Sequence, residues 1–132
     1  MPVTFSKIEV GQSYSRNTLA TLWGYRSYQA IARGVVTPKA DDKILLFVTE
    51  NKQESAEQYV DRLHGELLHW ESPNDHFAEE RILKAAVSGE EIHLFHRNRH
   101  HSDFTYLGKI AVEKHTIFTD GPSKFVFRVG QR

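Results

Sequence analysis

Apolar and polar residues alternate along this chain with two different periods. Over Thr4–Val10, Phe5, Ile8 and Val10 sit among polar neighbours and Gly11 ends the run. Strand spacing sends successive side chains to opposite faces, so a short first strand is expected here. The period then changes. Ser13–Asn17 offers N-cap residues, Leu19, Leu22 and Trp23 recur at helical spacing, and Gly24 closes the segment, which predicts a helix over Ser15–Trp23. Ser27–Val36 supports two readings. Tyr28, Ala30, Ile31 and Ala32 suit a helix, whereas Gly34–Pro38 reads as a strand entering the polar turn at 39–42.

Lys43–Thr49 is almost continuously apolar and reads as a buried strand. A polar connector at 51–57 follows. Tyr59–Trp70 reads as a hairpin with strands on either side of His64-Gly65; a helix is the alternative for its first half. Ser72–Asp75 forms a turn and cap for an amphipathic helix over Asp75–Val87, built on Phe77, Ile82, Ala85, Ala86 and Val87 and ended by Gly89. Glu91–His96 alternates as a strand, with His93 and His96 on opposite faces, and Arg97–Asp103 is a basic loop. Phe104–Val112, His115–Phe118 and Ser123–Val129 complete the strands.

These elements amount to about seven strands and two helices. The strands crowd the second half without a regular βαβ alternation. An α+β fold is expected, a mainly antiparallel, partly closed β-barrel with two flanking helices. At 132 residues, without repeats or a linker, residues 1–132 read as one domain.

Composition narrows the chemistry. With no cysteine, disulfides, thiolate zinc sites and cysteine nucleophiles are excluded. The apolar runs are too short for a membrane-spanning helix, and the N-terminus lacks the pattern of a signal peptide, so a reduced, cytoplasmic protein is expected. Seventeen basic residues balance seventeen acidic ones. That argues against a non-specific DNA coat but not against a reader with its positive charge on one face.

Catalytic signatures are weak. Asp42 with Glu50-Asn51-Lys52 resembles the carboxylate and Glu-x-Lys pattern of metal-dependent nucleases, a short pattern that recurs by chance. His93, His96, His100 and His101 cluster in sequence, but on opposite strand faces or side by side in a loop, which does not converge on a metal. There is no phosphate loop and no nucleophile elbow. The expectation is a non-catalytic protein with no cofactor.

A binding pattern remains. Basic residues interleave with aromatics in Trp23–Gly34, with Arg26 and Arg33, and in His96–Tyr106, with Arg97, Arg99, His100 and His101. Arg and Lys hold phosphates, while aromatic faces stack bases. A third cluster sets Tyr59 and Asp61 beside Trp70 and Glu71. An acidic side chain accepts from a cytosine amino group, and an aromatic wall holds an extruded base.

The order of these features resembles a domain found at the C-terminus of bacterial helicase–nuclease restriction proteins and beside HNH nuclease domains. That domain is described as SRA-like, after the modified-cytosine readers. The matching segments are Tyr14–Leu19 with Trp23-Gly24, Ile44–Thr49, Tyr59–Asp61, Leu68–Ser72, Arg81-Ile82, Ile92–Arg97 and Phe104–Gly108. The resemblance implies a PUA-like or SRA-like barrel that recognises modified DNA in type IV restriction, often through a flipped base, with nuclease or helicase activity in a partner or fused domain. On this reading the partner is double-stranded DNA carrying 5-methyl- or 5-hydroxymethylcytosine. Tyr59, Trp70 and Tyr106 form the pocket wall, and Asp61 reads the base edge. Arg16, Arg26, Arg33, Arg97, Arg99, His100 and His101 grip the backbone. A metal-dependent endonuclease using Asp42, Glu50 and Lys52, and a protein-interaction module whose aromatics fill its core, are the alternatives.

Overall fold

The structure, a computed structural model, describes residues 3–38, 41–51, 62–73, 75–99 and 102–129. Among the described residues, eight strands and two α-helices follow in the order β1 (Ser13–Tyr14), α1 (Arg16–Leu22), β2 (Val35–Val36), β3 (Lys43–Asn51), β4 (Arg62–His64), β5 (Leu67–Glu71), α2 (Glu79–Ser88), β6 (Glu91–Arg99), β7 (Phe104–Thr116) and β8 (Lys124–Val129). A 3-10 turn over Tyr28–Ile31 precedes β2. The sheet runs β2-β3-β6-β7-β8-β5-β4, with β1 beside the start of β7. Every pairing is antiparallel except β3 with β6. The expected α+β class with a mainly antiparallel sheet is present. Among the described residues no ladder joins β4 to β2, so hydrogen bonding leaves the barrel open.

The apolar run in β3 is continuous because both faces of the β3–β6 pair are covered. On one face, Ile44, Leu46, Val48, Ile92 and Leu94 meet Ile82 and Ala85 of α2 together with Leu68, Trp70, Phe125 and Phe127. On the other, Leu45, Phe47 and Phe95 meet Leu19, Ala20 and Trp23, Ile31, and Val3 and Ile8 of the N-terminal segment. The alternation of a single strand therefore feeds two separate cores.

Several expected elements are displaced, each for a physical reason. Thr4–Val10 is not a strand. It turns locally, with Ile8 N–H donating to Phe5 O, and lies as a strap over the second core, where the Trp23 indole N–H donates to Thr4 O at 2.9 Å. α1 begins where Ser15 caps the Thr18 amide, as its spacing predicts. The hairpin is present, but its two-residue turn is Gly65-Glu66 rather than His64-Gly65, because His64 pairs with Leu67 as the last residue of β4. α2 starts later than expected, because His76 and Ala78 take left-handed backbone conformations before it. Ser72 and His76 hold Glu79, which anchors this bend. Gly89 ends the helix at φ 86°.

β6 runs to Arg99 instead of stopping at His96, because β3 remains beside it up to the pair Asn51 and Arg99. β7 is one long strand rather than two. Its first half pairs with β6 and its second half with β8, so it bends the sheet around the first core. Tyr106 opposes Phe95 and Gly108 opposes Leu94, which makes Leu107 an inserted bulge residue. Gly108 accommodates it at φ 93°. The insertion reverses the phase of β7: Phe104 and Tyr106 face the second core, while Ile110 and Val112 face the first.

Candidate nucleic-acid interface

Three places bear on the expected chemistry. The first is the end of the sheet where parallel β3 and β6 finish together, with Thr49 beside Arg97 and Asn51 beside Arg99. β7 returns from this end through Phe104. The Arg97 guanidinium carbon lies 4.2 Å from the Phe104 ring centroid. That of Arg16, at the start of α1, lies 4.9 Å from the same centroid and 4.7 Å from that of Phe47. Arg16 donates from Nε to Ile31 O and from Nη2 to Arg33 O. Arg97 donates from Nε to Thr49 Oγ1 and from Nη1 to Ser102 O. Burial, with the charge of Arg97 next, lowers the Arg16 pKa to about 10, and burial lowers that of Arg97.

The other expected backbone contacts are spread out. Arg26 and Arg99 are exposed. Arg33 is exposed too. Its guanidinium carbon stands 4.3 Å from the Phe77 ring centroid and its Nη2 lies 3.9 Å from Asp75. His100 and His101 lie outside the described residues.

The second place surrounds Trp70. Trp70 is only 5% exposed, and its ring packs on Phe125 and Phe127, with centroids 5.6 and 5.7 Å away. The strand pairings set Trp70 opposite Phe125 and His115 opposite Phe125 on its other side. A cavity of about 410 Å³ opens here, lined by Trp70 with Lys114, His115, Thr116 and Lys124 among its walls. Trp70 is thus mostly a core residue and in part a cavity wall. Tyr59 and Asp61, expected beside it, lie outside the described residues.

The third place holds Tyr106, which is not in the Trp70 cavity. It belongs to the second core and is 5% exposed. Its hydroxyl lies 2.6 Å from His93 Nδ1, and His93 Nε2 lies 2.9 Å from Glu91. The Phe5 ring stacks on the imidazole at 3.8 Å. Burial lowers the His93 pKa against the pull of Glu91. Burial and then Glu91 raise that of Tyr106 to about 12. A pocket walled jointly by Trp70 and Tyr106 is therefore not what the fold builds. The bulge at Leu107 sends the start of β7 to the opposite core.

The nuclease constellation is not assembled either. Asp42 precedes β3 and Glu50 lies near its far end, about 26 Å away at the rise of an extended strand. Glu50 is engaged with His96 at 2.7 Å and with the Leu63 amide at 3.0 Å. Lys52 lies outside the described residues.

Sequence reasoning missed Phe104 as the ring shared by two arginines, and missed Lys114, His115 and Lys124 as cavity walls. The alternation of β8 places Lys124 beside Phe125. Nothing local indicates that β7 and β5 flank the same strand.

The family model for a domain of unknown function, DUF3427, matches residues 8–124. The chain belongs to the DUF3427 family. No curated protein matches it in sequence. Among solved structures, this DUF3427 chain is similar to the SUVH5 SRA domain. In its complex with hemi-methylated CG DNA the TM-score is 0.63 at 18% identity. In the complex with fully methylated CG DNA the TM-score is 0.61 at 18% identity. In the complex with fully hydroxymethylated CG DNA it is 0.60 at 18% identity. Each match covers 100% of this chain and 97% of the other. At such identity the likeness establishes a shared fold: this DUF3427 domain has the SRA architecture.

Proposed function

We propose that this DUF3427 domain is a non-catalytic reader of double-stranded DNA carrying a modified base, most simply 5-methyl- or 5-hydroxymethylcytosine. The Trp70 cavity carries the reading. Its volume, about 410 Å³, falls in the range of pockets that take small ligands. Lys114, His115 and Lys124 place basic groups around an apolar wall, a combination suited to a base with its attached phosphates. The roles proposed for Tyr59 and Asp61, which lie outside the described residues, are to stack on an extruded base and to accept from the cytosine amino group. Arg16, Arg26, Arg33, Arg97 and Arg99, with His100 and His101, contact the backbone and carry no base information.

The SRA fold supports this assignment, since its solved relatives are complexes of SUVH5 with methylated and hydroxymethylated DNA. A place in bacterial restriction, with nuclease or helicase activity supplied by a partner or an adjoining domain, is the context proposed for it. The deciding experiment is a binding panel of duplexes that differ at one cytosine, unmodified, 5-methyl or 5-hydroxymethyl, at fixed low salt. Tighter binding to one modified duplex is expected. Equal affinity across the panel, or no binding at all, overturns the proposal.

A further inference from the structure

The contacts of Arg16 and Arg97 leave something unused. Each guanidinium donates through Nε and one terminal nitrogen to the protein. Nη1 of Arg16 and Nη2 of Arg97 have no protein acceptor among the described residues. Neither side chain makes an ion pair with a carboxylate among the described residues, unlike Arg81 with Glu90 or Arg128 with Glu113. Two cations are therefore held on one aromatic ring, half-buried and repelling each other, with oriented donors to spare. A planar guanidinium fork matches phosphate oxygens, and an anion between two such forks removes their repulsion.

We propose that Arg16 and Arg97 form a two-guanidinium receptor for a single phosphate of a nucleic-acid backbone, with Phe104 as the ring that sets their spacing. The anion site stands on the geometry of the two arginines. Only its natural occupant, a phosphodiester, rests on the DNA-reading function proposed above. Ile31 O, Arg33 O, Thr49 and Ser102 pre-orient the two forks, so binding one phosphate orders little further. Arg26 and Arg99 are exposed, and no protein hydrogen bond holds either guanidinium among the described residues. They add diffuse attraction rather than a site.

The test begins with the unmodified protein. Arginine Nε–H signals are followed by NMR during titration with inorganic phosphate, against sodium chloride at matched ionic strength. The Arg16 and Arg97 signals should move together along one saturating curve. Arg97→Gln should weaken the Arg16 response about tenfold, the loss expected for one charge-assisted contact. Shifts equal to those in chloride, or an Arg16 response untouched by Arg97→Gln, overturn the receptor. On unmodified duplex DNA, Arg16→Gln or Arg97→Gln alone should leave the salt slope nearly unchanged, because the remaining arginine still neutralises the shared phosphate, and the double variant should lower it by about one unit. A double variant that loses two units places them on separate phosphates and also overturns the proposal. Should Arg16→Gln fail to fold, the phosphate titration and Arg97→Gln still decide. Loss of the phosphate response with modified-base preference intact removes the receptor and leaves the reader. Phosphate binding without any preference among duplexes does the reverse.

Discussion

Glu50 Oε2 stands 2.7 Å from His96 Nε2, and the same oxygen accepts the Leu63 amide at 3.0 Å. Glu50 lies near the end of β3, His96 on its parallel neighbour β6, and Leu63 on β4 at the opposite end of the strand order. One carboxylate thus links the two margins of the sheet where, among the described residues, no ladder does. It holds β4 of the hairpin to the ends of β3 and β6.

Removing this link should loosen the hairpin. Glu50→Ala is expected to cost about 1–3 kcal/mol, the range for leaving buried hydrogen-bonding groups without their partner. Glu50→Gln keeps an acceptor and should cost less. Hydrogen exchange at the Leu63 amide should accelerate in Glu50→Ala before the β6–β7 ladder opens. Unchanged exchange there would show that the hairpin is held by its packing alone.

Trp70 serves stability first. Trp70→Ala is expected to cost about 3–5 kcal/mol of folding free energy, as for other buried aromatic truncations. That is a large share of the stability of a small domain. Trp70→Phe retains packing against Phe125 and Phe127 and should stay folded, so it is the variant for testing recognition. It should narrow the difference between modified and unmodified duplexes while leaving salt dependence alone. A folded Trp70→Phe protein with full discrimination would place the base elsewhere.

Stability should depend on pH through His93. Burial lowers its folded-state pKa, so the unfolded chain takes up the proton more readily. The stabilisation is complete above the unfolded value, about 6.5, and is lost as pH falls through the lower folded value. Denaturant midpoints measured between pH 7.5 and about 5 should fall with acid. His93→Gln should flatten that dependence at the cost of overall stability. A wild-type midpoint that rises with acid over this window would contradict a neutral buried imidazole.

Arg99 offers the complementary control. Its side chain is exposed at the end of β6, so Arg99→Ala should leave the melting temperature unchanged. It should weaken modified and unmodified duplexes equally, because backbone contacts carry no sequence information. Binding isotherms on the duplex panel at two salt concentrations check this. Loss confined to the modified duplex would move Arg99 into the base pocket.

Much of the candidate site was legible as residue types and little of it as geometry. The interleaved arginines and aromatics marked the region around Arg97 and Phe104, and Trp70 was singled out from its neighbours. That Arg16 and Arg97 share the Phe104 ring depends on α1 folding back across the ends of β3 and β6. No local pattern records that contact. Grouping Tyr106 with Trp70 failed because alternation tells only that a side chain faces one side of a strand. Here both sides are buried, in two different cores.

What the sequence determined by itself is local. Sterics and amphipathic period act over a few residues, so the start of α1 near Ser15, the Gly89 stop, the buried run of β3, the presence of the β4–β5 hairpin and the alternation of β8 could all be placed from neighbours alone. The tertiary structure decided which strands pair. Setting β3 parallel to β6 drew β6 out to Arg99, and the inserted Leu107 reversed the phase of β7. Packing over the second core turned Thr4–Val10 into a strap rather than a strand. A strand's partner and the side it buries are chosen by contacts between distant segments, whose hydrogen bonds and buried area outweigh the weak preferences of any single stretch.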